Sequence, residues 1–159
     1  MSEAWPAGPQ DASHVTRLLT GFRDWNESPQ PTDASIRESV ELLLEDRDTE
    51  FLLGAIAGRA EPCGVCQLRF RHSVWTGAPD CWLEDLYVEQ RARGMGVGRA
   101  LVELAFERAR ARGARRIELD TNEDNTLAIA LYEALGFSAA SKVHGQLHGR
   151  DLFMGRRLN

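Results

Sequence analysis

Apolar residues along the first half of the chain follow two different periods. A 3.6-residue period over 10–25, and again over 33–47, predicts two amphipathic helices. The continuously apolar stretch 51–57 is typical of a strand covered on both faces. Alternation of apolar and polar residues over 65–72 predicts a second strand, and 81–88 predicts a third. The expected order is therefore two helices followed by three strands.

The helical period returns in the second half over 98–112, where Gly113 provides the expected end of the helix. A strand at 116–121 and a short helix at 125–135 follow, and 137–158 predicts two further strands. A strand, a helix and a strand in succession imply at least one parallel pair. The sequence therefore predicts a sheet of mixed strand direction with helices packed on it, in one domain that spans the whole chain (1–159).

Composition narrows the classes of protein to consider. With 159 residues, 43% of them hydrophobic, the chain can bury one ordinary core. A net charge of -5 without a basic tail argues against a nucleic-acid partner. We expect no membrane partner and a cytoplasmic location, because 1–9 is unlike a secretory leader and no apolar run could span a bilayer. The three cysteines, an odd number without a framework pattern, fit a reducing compartment.

The sharpest feature is a glycine-rich loop from Arg93 to Arg99, with the sequence RGMGVGR, between a predicted strand and a predicted helix. Backbone N–H groups at a helix start are unpaired and carry partial positive charge. Glycines let a phosphate approach those N–H groups without a Cβ in the way. Together with the two arginines, the pattern predicts a pyrophosphate site at 94–99.

Three alternatives exist for this loop. Its glycines could serve only the geometry of a tight turn, which the loop by itself leaves open. A dinucleotide fingerprint, G-x-G-x-x-G, gains support from Glu118 and Asp120 downstream, but Arg99 or Leu101 replaces its third glycine, which disfavours a nucleotide-dependent oxidoreductase. A P-loop is excluded because no Gly-Lys-Ser/Thr sequence follows.

Residues on both sides of the loop carry a resemblance to a known family. The motif positions are Leu86-Tyr87-Val88, then Arg93, Gly96 and Gly98 of Q/R-x-x-G-x-G/A, then Asn125, Ala128 and Tyr132-Glu133-Ala134-Leu135-Gly136-Phe137. In this combination the chain resembles the GNAT superfamily of N-acetyltransferases over most of its length. The resemblance implies an α/β (α+β) fold, with a mixed, mostly antiparallel twisted sheet and helices on both faces.

The resemblance also implies how acetyl-CoA, the co-substrate, would bind. The strand before the loop would splay from the next parallel strand, and backbone groups of Leu86 and Val88 would pair with the pantetheine arm like a missing strand. Amides of the loop would hold the pyrophosphate, and Asn125 would hydrogen-bond the pantetheine. The predicted cofactor contacts are Leu86, Tyr87, Val88, Arg93, Gly94, Met95, Gly96, Val97, Gly98, Arg99, Asn125 and Ala128.

The reaction that the resemblance implies is direct attack of an amine on bound acetyl-CoA, which needs a base and an acid. Tyr132 would lie near the thioester sulfur and protonate the leaving thiolate. Its spacing from Asn125 and Ala128 places all three residues on one helix face. Glu84 would deprotonate the ammonium, directly or through water, and Asp85 is the second candidate for this role.

Strand alternation bears on the choice of base. It places Glu84 on the same side as Trp82, Leu86 and Val88, and Asp85 on the opposite side, unless a bulge intervenes. The plainer alternative is that either carboxylate only balances a nearby arginine.

Acidic residues around the expected cleft favour a cationic acceptor, such as a polyamine or an amino-sugar. The predicted substrate contacts are Trp82, Glu84, Asp85, Glu118, Asp120 and Glu27. The segment 82–88 is similar to the corresponding strand of the diamine (polyamine) acetyltransferase branch. A protein or peptide amine and a non-catalytic acyl-CoA-binding module are the alternatives. Because family members are often dimers, a homodimer is a further expectation.

Two other groups of residues are not expected to carry chemistry. Cys63 and Cys66 form a C-x-x-C motif, but no second ligand pair and no helix start accompanies it, so we expect no metal site. His144 and His148, near the C-terminus, are interpreted as surface histidines.

Overall fold

The structure, a computed structural model, describes residues 1–138. Its helices and strands follow the order β1 (Ser2–Pro6), α1 (Ala12–Trp25), α2 (Asp33–Glu45), β2 (Thr49–Ile56), β3 (Gly64–Ser73), β4 (Ala78–Val88), α3 (Val97–Ala111), β5 (Ile117–Glu118) and α4 (Thr126–Ala134). Single 3-10 turns precede α1 and follow β4. The two predicted C-terminal strands, with His144 and His148, lie outside the described residues.

The five strands form one sheet in sequential order, β1-β2-β3-β4-β5. The first three pairs are antiparallel, and β4 and β5 are parallel. The predicted sheet of mixed, mostly antiparallel strands is therefore confirmed, together with its one parallel pair across α3.

Apolar side chains point to alternate faces of the central strands and build two cores. Leu52 of β2 and Leu68 of β3 pack against α3 and α4, where Leu101 and Tyr132 are buried. Phe51, Leu53 and Val65 face the opposite way, toward α1 and α2, with Val15, Leu18, Ile36 and Val40. The continuously apolar β2 is therefore covered on both faces, as its sequence predicts, and helices lie on both sides of the sheet.

Two strands differ from the sequence prediction. The strand Ser2–Pro6 was not predicted, because it is short and carries only two apolar side chains before its proline. Its place is set by pairing with β2 at the edge of the sheet, where a proline is tolerated. The predicted strand 116–121 is confined to Ile117–Glu118, since its pairing with β4 stops there.

Glu50 on β2 fastens the sheet to the C-terminal end of α3. Its carboxylate accepts hydrogen bonds from Arg108 (2.8 and 2.9 Å) and Arg112 (2.7 Å). The Arg112 guanidinium also lies 4.4 Å from the centroid of the Phe70 ring and donates to the carbonyl of Arg47. Burial alone would raise the pKa of Glu50, but the two guanidinium groups outweigh it and hold that pKa below its ordinary 4.5.

We predict that Glu50→Gln lowers the free energy of unfolding by about 1–3 kcal/mol at pH 7, because three charge-assisted hydrogen bonds lose their acceptor charge. A lowered carboxyl pKa adds stability above the unfolded-state value, and this stability is lost as the pH falls through the folded-state value. The difference from wild type should therefore shrink below pH 4.5. Urea denaturation at several pH values measures it.

The matched control is Glu107→Gln, which removes an exposed carboxylate from the same helix that carries Arg108. It should change the free energy of unfolding by less than about 0.5 kcal/mol. Equal losses in the two variants would mean that Glu50 contributes only general surface charge.

Candidate active site

The sheet opens between β4 and β5. These strands pair only at Cys81 with Ile117 and at Trp82 with Glu118. Beyond that point β4 continues to Val88 while its other side stays paired with β3, and within residues 1–138 no strand continues the pairing on the open side. The result is a cleft with one wall of strand backbone.

The open wall presents the backbone groups of Leu86 and Val88. The N–H of Glu89 donates to the carbonyl of Cys63 at 2.9 Å, so Glu89 faces β3. Because backbone groups alternate in direction along a strand, those of Leu86 and Val88 face the cleft. The Val88 carbonyl accordingly accepts from Nε of Arg93, at 3.1 Å, rather than from β3. These are the two residues expected to pair with pantetheine.

The glycine-rich loop closes one end of the cleft. Gly94 and Gly96 have φ of +76° and +86°, a region that other residues enter at a cost of about 1–2 kcal/mol. Among the described residues, no side chain caps the start of α3 at Gly96, so the first-turn amides of α3 stay available to an anion. The Met95 carbonyl accepts from Ser2 Oγ at 2.7 Å, which ties the loop to β1.

Gly98 has a packing reason of its own. A Cβ at this position would lie 3.2 Å from Cδ2 of Leu131, tighter than ordinary van der Waals contact. Glycine at 98 therefore lets α3 and α4 approach each other beside the cleft.

The two arginines that flank the loop differ in their surroundings. Arg99 is exposed and pairs with Glu103 one turn along α3, at 3.4 Å. Arg93 is half-buried, and its guanidinium carbon lies 4.8 Å from the centroid of the Trp25 ring. Arg93 is thus held by its surroundings, whereas Arg99 lies on the outer surface.

A β-bulge interrupts the pairing of β4 with β3 at the two candidate carboxylates. Leu86 pairs with Cys66 and Asp85 with Gln67, but Leu68 pairs with Leu83, so Glu84 is the extra residue. The simple alternation therefore breaks at Glu84, whereas Asp85 keeps its predicted side, opposite to Leu86. Leu83 shares a face with Leu86 and Val88, and Tyr87 packs on the opposite face with α1.

The bulge leaves Glu84 and Asp85 in different environments. Glu84 is exposed, and its carboxylate lies 3.6 Å from the Arg69 guanidinium. Asp85 is half-buried, and its desolvation, with the charges of Glu84 and Asp120, raises its pKa to about 6. Asp85 therefore has the protonation behaviour of a base that works near neutral pH.

Tyr132 on α4 lies in the same electrostatic environment. It is 7% exposed, and its ring meets that of Phe137 edge-on with centroids 5.6 Å apart. Burial, followed by the charges of Cys66, Asp120 and Asp85, raises the pKa of its hydroxyl well above 10. The group stays protonated at neutral pH and is available as a proton donor.

The start of α4 is held by Asn125. Its Oδ1 accepts from the Ala128 N–H at 3.4 Å, as an N-cap residue does. The side-chain NH₂ group is then the part of Asn125 that can reach a ligand carbonyl. Ala128 and Tyr132 follow on the same side of the helix, both in contact with the core below α3.

The remaining predicted substrate residues lie in different environments, and not all of their negative charges are free. Glu118 pairs with Arg116 at 2.7 Å, which compensates its charge. Asp120 is exposed yet close enough to raise the pKa of Asp85. Trp82 is partly buried at the point where β4 and β5 separate. Glu27 lies in the turn after α1 with φ of +54°.

Contacts from α1 were not predicted from the sequence. Phe22 stacks on Tyr87 with ring centroids 5.4 Å apart, and Trp25 follows Phe22 at 6.2 Å. The only signal in the sequence is the three-residue spacing of Phe22 and Trp25, which places them on one face of the helix.

The described part of the chain contains neither a candidate metal site nor a candidate membrane-spanning helix. Within residues 1–138, no group of three or more His, Cys, Asp and Glu side chains could hold a metal ion. Cys63, Cys66 and Cys81 are free thiols, all buried. None of the helices described has the length and apolar character needed to cross a bilayer.

Comparison with known proteins agrees with this geometry. Residues 15–137 match the model of the acetyltransferase (GNAT) family. An aminoglycoside N(6')-acetyltransferase type 1 from Stenotrophomonas maltophilia is 30% identical over 140 residues, which cover 86% of each chain. A thialysine N-epsilon-acetyltransferase from Caenorhabditis elegans is 32% identical over 133 residues, 83% of this chain and 82% of its own.

A solved structure extends the likeness to the fold. A candidate acetyltransferase from Arthrobacter sp. FB24 superposes with a TM-score of 0.83 at 29% identity. The match covers 98% of this chain and 95% of the other.

The environment of Asp85 generates a prediction about stability. A carboxyl whose folded-state pKa lies above its unfolded-state value destabilises the fold as the pH rises between the two values. Asp85→Asn should therefore raise the free energy of unfolding by about 1–3 kcal/mol above pH 7, because no charge is then buried. The gain should vanish below pH 3.8, where Asp85 is protonated in both states.

Urea denaturation of the two proteins across this pH range measures the effect. Glu123→Gln, an exposed carboxylate that is not among the charges acting on Asp85, is the control and should leave stability nearly unchanged. A destabilised Asp85→Asn at pH 7 would show that the carboxylate has a favourable partner.

Proposed function

The chain belongs to the GNAT family of acetyltransferases, with acetyl-CoA as acyl donor, and from this premise we propose that it acetylates a small cationic amine at the cleft between β4 and β5. The observation that supports the proposal is the half-buried Asp85, which adjoins Leu86 on the strand with the open edge and whose pKa is raised to about 6. An enzyme that must deprotonate an ammonium group needs such a base.

The placement of acetyl-CoA follows from the backbone. The pantetheine arm adds to the open edge of β4, where the N–H and carbonyl groups of Leu86 and the N–H of Val88 have no strand partner within residues 1–138. The diphosphate lies on the amides of 94–99, at the start of α3. Asn125 donates its side-chain NH₂ to a pantetheine carbonyl. Each of these contacts uses a group that the fold leaves available.

The chemical step is a direct transfer. The ammonium of the acceptor gives a proton to Asp85, and the amine nitrogen attacks the thioester carbonyl carbon. A backbone N–H of Leu86 or Val88 stabilises the oxyanion while the C–N bond forms. The C–S bond then breaks, and the thiolate takes the proton of the Tyr132 hydroxyl. The Tyr132 oxygen recovers a proton from the new amide nitrogen, and Asp85 releases its proton to water. Products are the amide and free CoA, with no covalent enzyme intermediate.

The acceptor class is inferred from charge and from the relatives. Asp85 and Asp120 together make the acceptor side of the cleft negative, which attracts a cation. The named relatives act, by their names, on aminoglycosides and on thialysine, both amines. A polyamine or an amino-sugar therefore fits better than a neutral amine.

The test is an acceptor panel with detection of released CoA. A linear polyamine, an aminoglycoside, thialysine and a peptide with a free α-amino group are compared at fixed acetyl-CoA. Turnover with one of the small cations supports the proposal, and turnover with the peptide alone would replace it by a peptide acetyltransferase. Binding of CoA without turnover of any amine would favour a non-catalytic module.

We predict that Asp85→Asn lowers kcat/KM for the best acceptor by about 10²–10⁴-fold, the usual contribution of a general base. In the wild type, kcat/KM should rise with pH through a limb near pH 6, and this limb should be absent in the variant. Glu84→Gln is the control and should retain most activity. The opposite ranking of the two variants would return the role of base to Glu84.

A second prediction concerns the acid. Tyr132→Phe should lower kcat with little change in CoA affinity, because only the hydroxyl is removed and the ring stays packed on Phe137. Calorimetric titration with CoA and steady-state kinetics measure the two quantities. An unchanged kcat would exclude Tyr132 from proton donation.

A further inference from the structure

A row of aromatic rings connects α1 with the cofactor side of the cleft. Tyr87 of β4 stacks on Phe22, with ring planes 24° apart, and Phe22 is followed by Trp25 at the last position of α1. The row ends on the guanidinium of Arg93, which lies over the Trp25 ring at 4.8 Å. One helix face therefore reaches from the strand to the glycine-rich loop.

The close approach of α1 depends on a glycine. A Cβ on Gly21 would lie 3.3 Å from both the ring and the hydroxyl of Tyr87. Since Gly21 has no side chain, Tyr87 packs directly against the helix, and Phe22 and Trp25 come within reach of the strand and loop.

Arg93 has two restraints, and they act on different atoms. Its Nε donates to the Val88 carbonyl, on the edge of β4 that faces the cleft. Its planar guanidinium is covered on one side by Trp25, an arrangement in which cation and ring attract each other. A long side chain whose guanidinium is held both by a hydrogen bond and by a ring loses little further entropy when an anion or a strand-like ligand arrives.

We propose that Trp25 is a positioning residue for acetyl-CoA. Its ring holds the Arg93 guanidinium so that Arg93 fixes the Val88 carbonyl, and with it the edge of β4 and the entry to the loop. The proposal rests on the placement of pantetheine and diphosphate given above. Because Trp25 is the last residue of α1, the end of this helix would contribute to the affinity for the acyl donor.

The expected effect falls on binding of the donor and not on the chemical step. Trp25→Ala should raise the dissociation constant of CoA by about three- to tenfold, the size of a partly exposed cation–π contact. KM for acetyl-CoA should rise in parallel, with kcat nearly unchanged. Trp25→Leu should resemble Trp25→Ala, because it keeps apolar volume without the ring. Trp25→Phe should restore part of the affinity.

Two comparisons distinguish a role of Trp25 in CoA binding from a general effect of its replacement on stability. Trp75→Ala removes an exposed tryptophan at the β3–β4 turn, at the opposite end of β4 from Val88, and should leave CoA affinity unchanged. The pair Trp25→Ala and Arg93→Ala forms a double-mutant cycle. The double variant should bind CoA about as weakly as Arg93→Ala alone, because Trp25 acts through Arg93.

The proposal is overturned if the two substitutions raise the dissociation constant of CoA by factors that multiply in the double variant. It is also overturned if Trp25→Leu binds CoA as tightly as wild type. Hydrogen exchange of the wild type with and without CoA tests the underlying placement separately. Protection of amides in 86–99 with unaltered affinity in the Trp25 variants would reject only the role of Trp25. CoA binding without such protection would reject the placement itself, and this inference with it.

Discussion

The edge of β4 that has no strand partner among residues 1–138 is the constraint on which the rest of the site depends. Backbone N–H and carbonyl groups in a half-buried strand are costly without partners, so such an edge favours a ligand that can pair with it. Here the parallel pairing with β5 ends at Trp82, while Leu86 and Val88 still present their groups. The Val88 carbonyl already accepts a hydrogen bond from Arg93. The groups left for a strand-like ligand are the N–H and carbonyl of Leu86 and the N–H of Val88.

Two carboxylates of this fold, Glu50 and Asp85, have opposite effects on its stability. Glu50 is buried with two guanidinium partners, so its charge is compensated and helps to join β2 to α3. Asp85 is also withdrawn from water, but the charges that act on it are those of Glu84 and Asp120, which are of the same sign. Its raised pKa is a cost to folding that suits proton transfer. The hydrogen bonds of Glu50 with Arg108 and Arg112 lie on the other side of β3 from the cleft, so they can offset that cost without altering the cleft.

The sequence predicts well those features that depend on neighbouring residues of the chain. The 3.6-residue period locates α1, α2 and α3 within a few residues, and the glycine-rich loop locates the start of α3. The bulge at Glu84 could not be predicted, because it is a property of the pairing between two strands and not of either strand alone. The contact of Arg93 with Trp25 joins residues far apart in the sequence, and β1 has too few apolar residues to show a period. The preference for Glu84 over Asp85 as the base used simple alternation along this strand, and it remains untested.

In the arrangement proposed above, the end of α1 would join the donor and acceptor sides of the reaction. Trp25 contacts Arg93, and two residues later Glu27 takes a left-handed conformation that closes the helix, with the Ser28 N–H donating to the Arg23 carbonyl. The Arg23 side chain then donates to the Pro31 carbonyl and to Asp33 at the start of α2, so the turn is fixed at both ends. A change of acceptor that reshapes this turn must also move Trp25. Donor affinity and acceptor choice are therefore expected to change together when this helix end is altered, although the two ligands would occupy separate parts of the cleft.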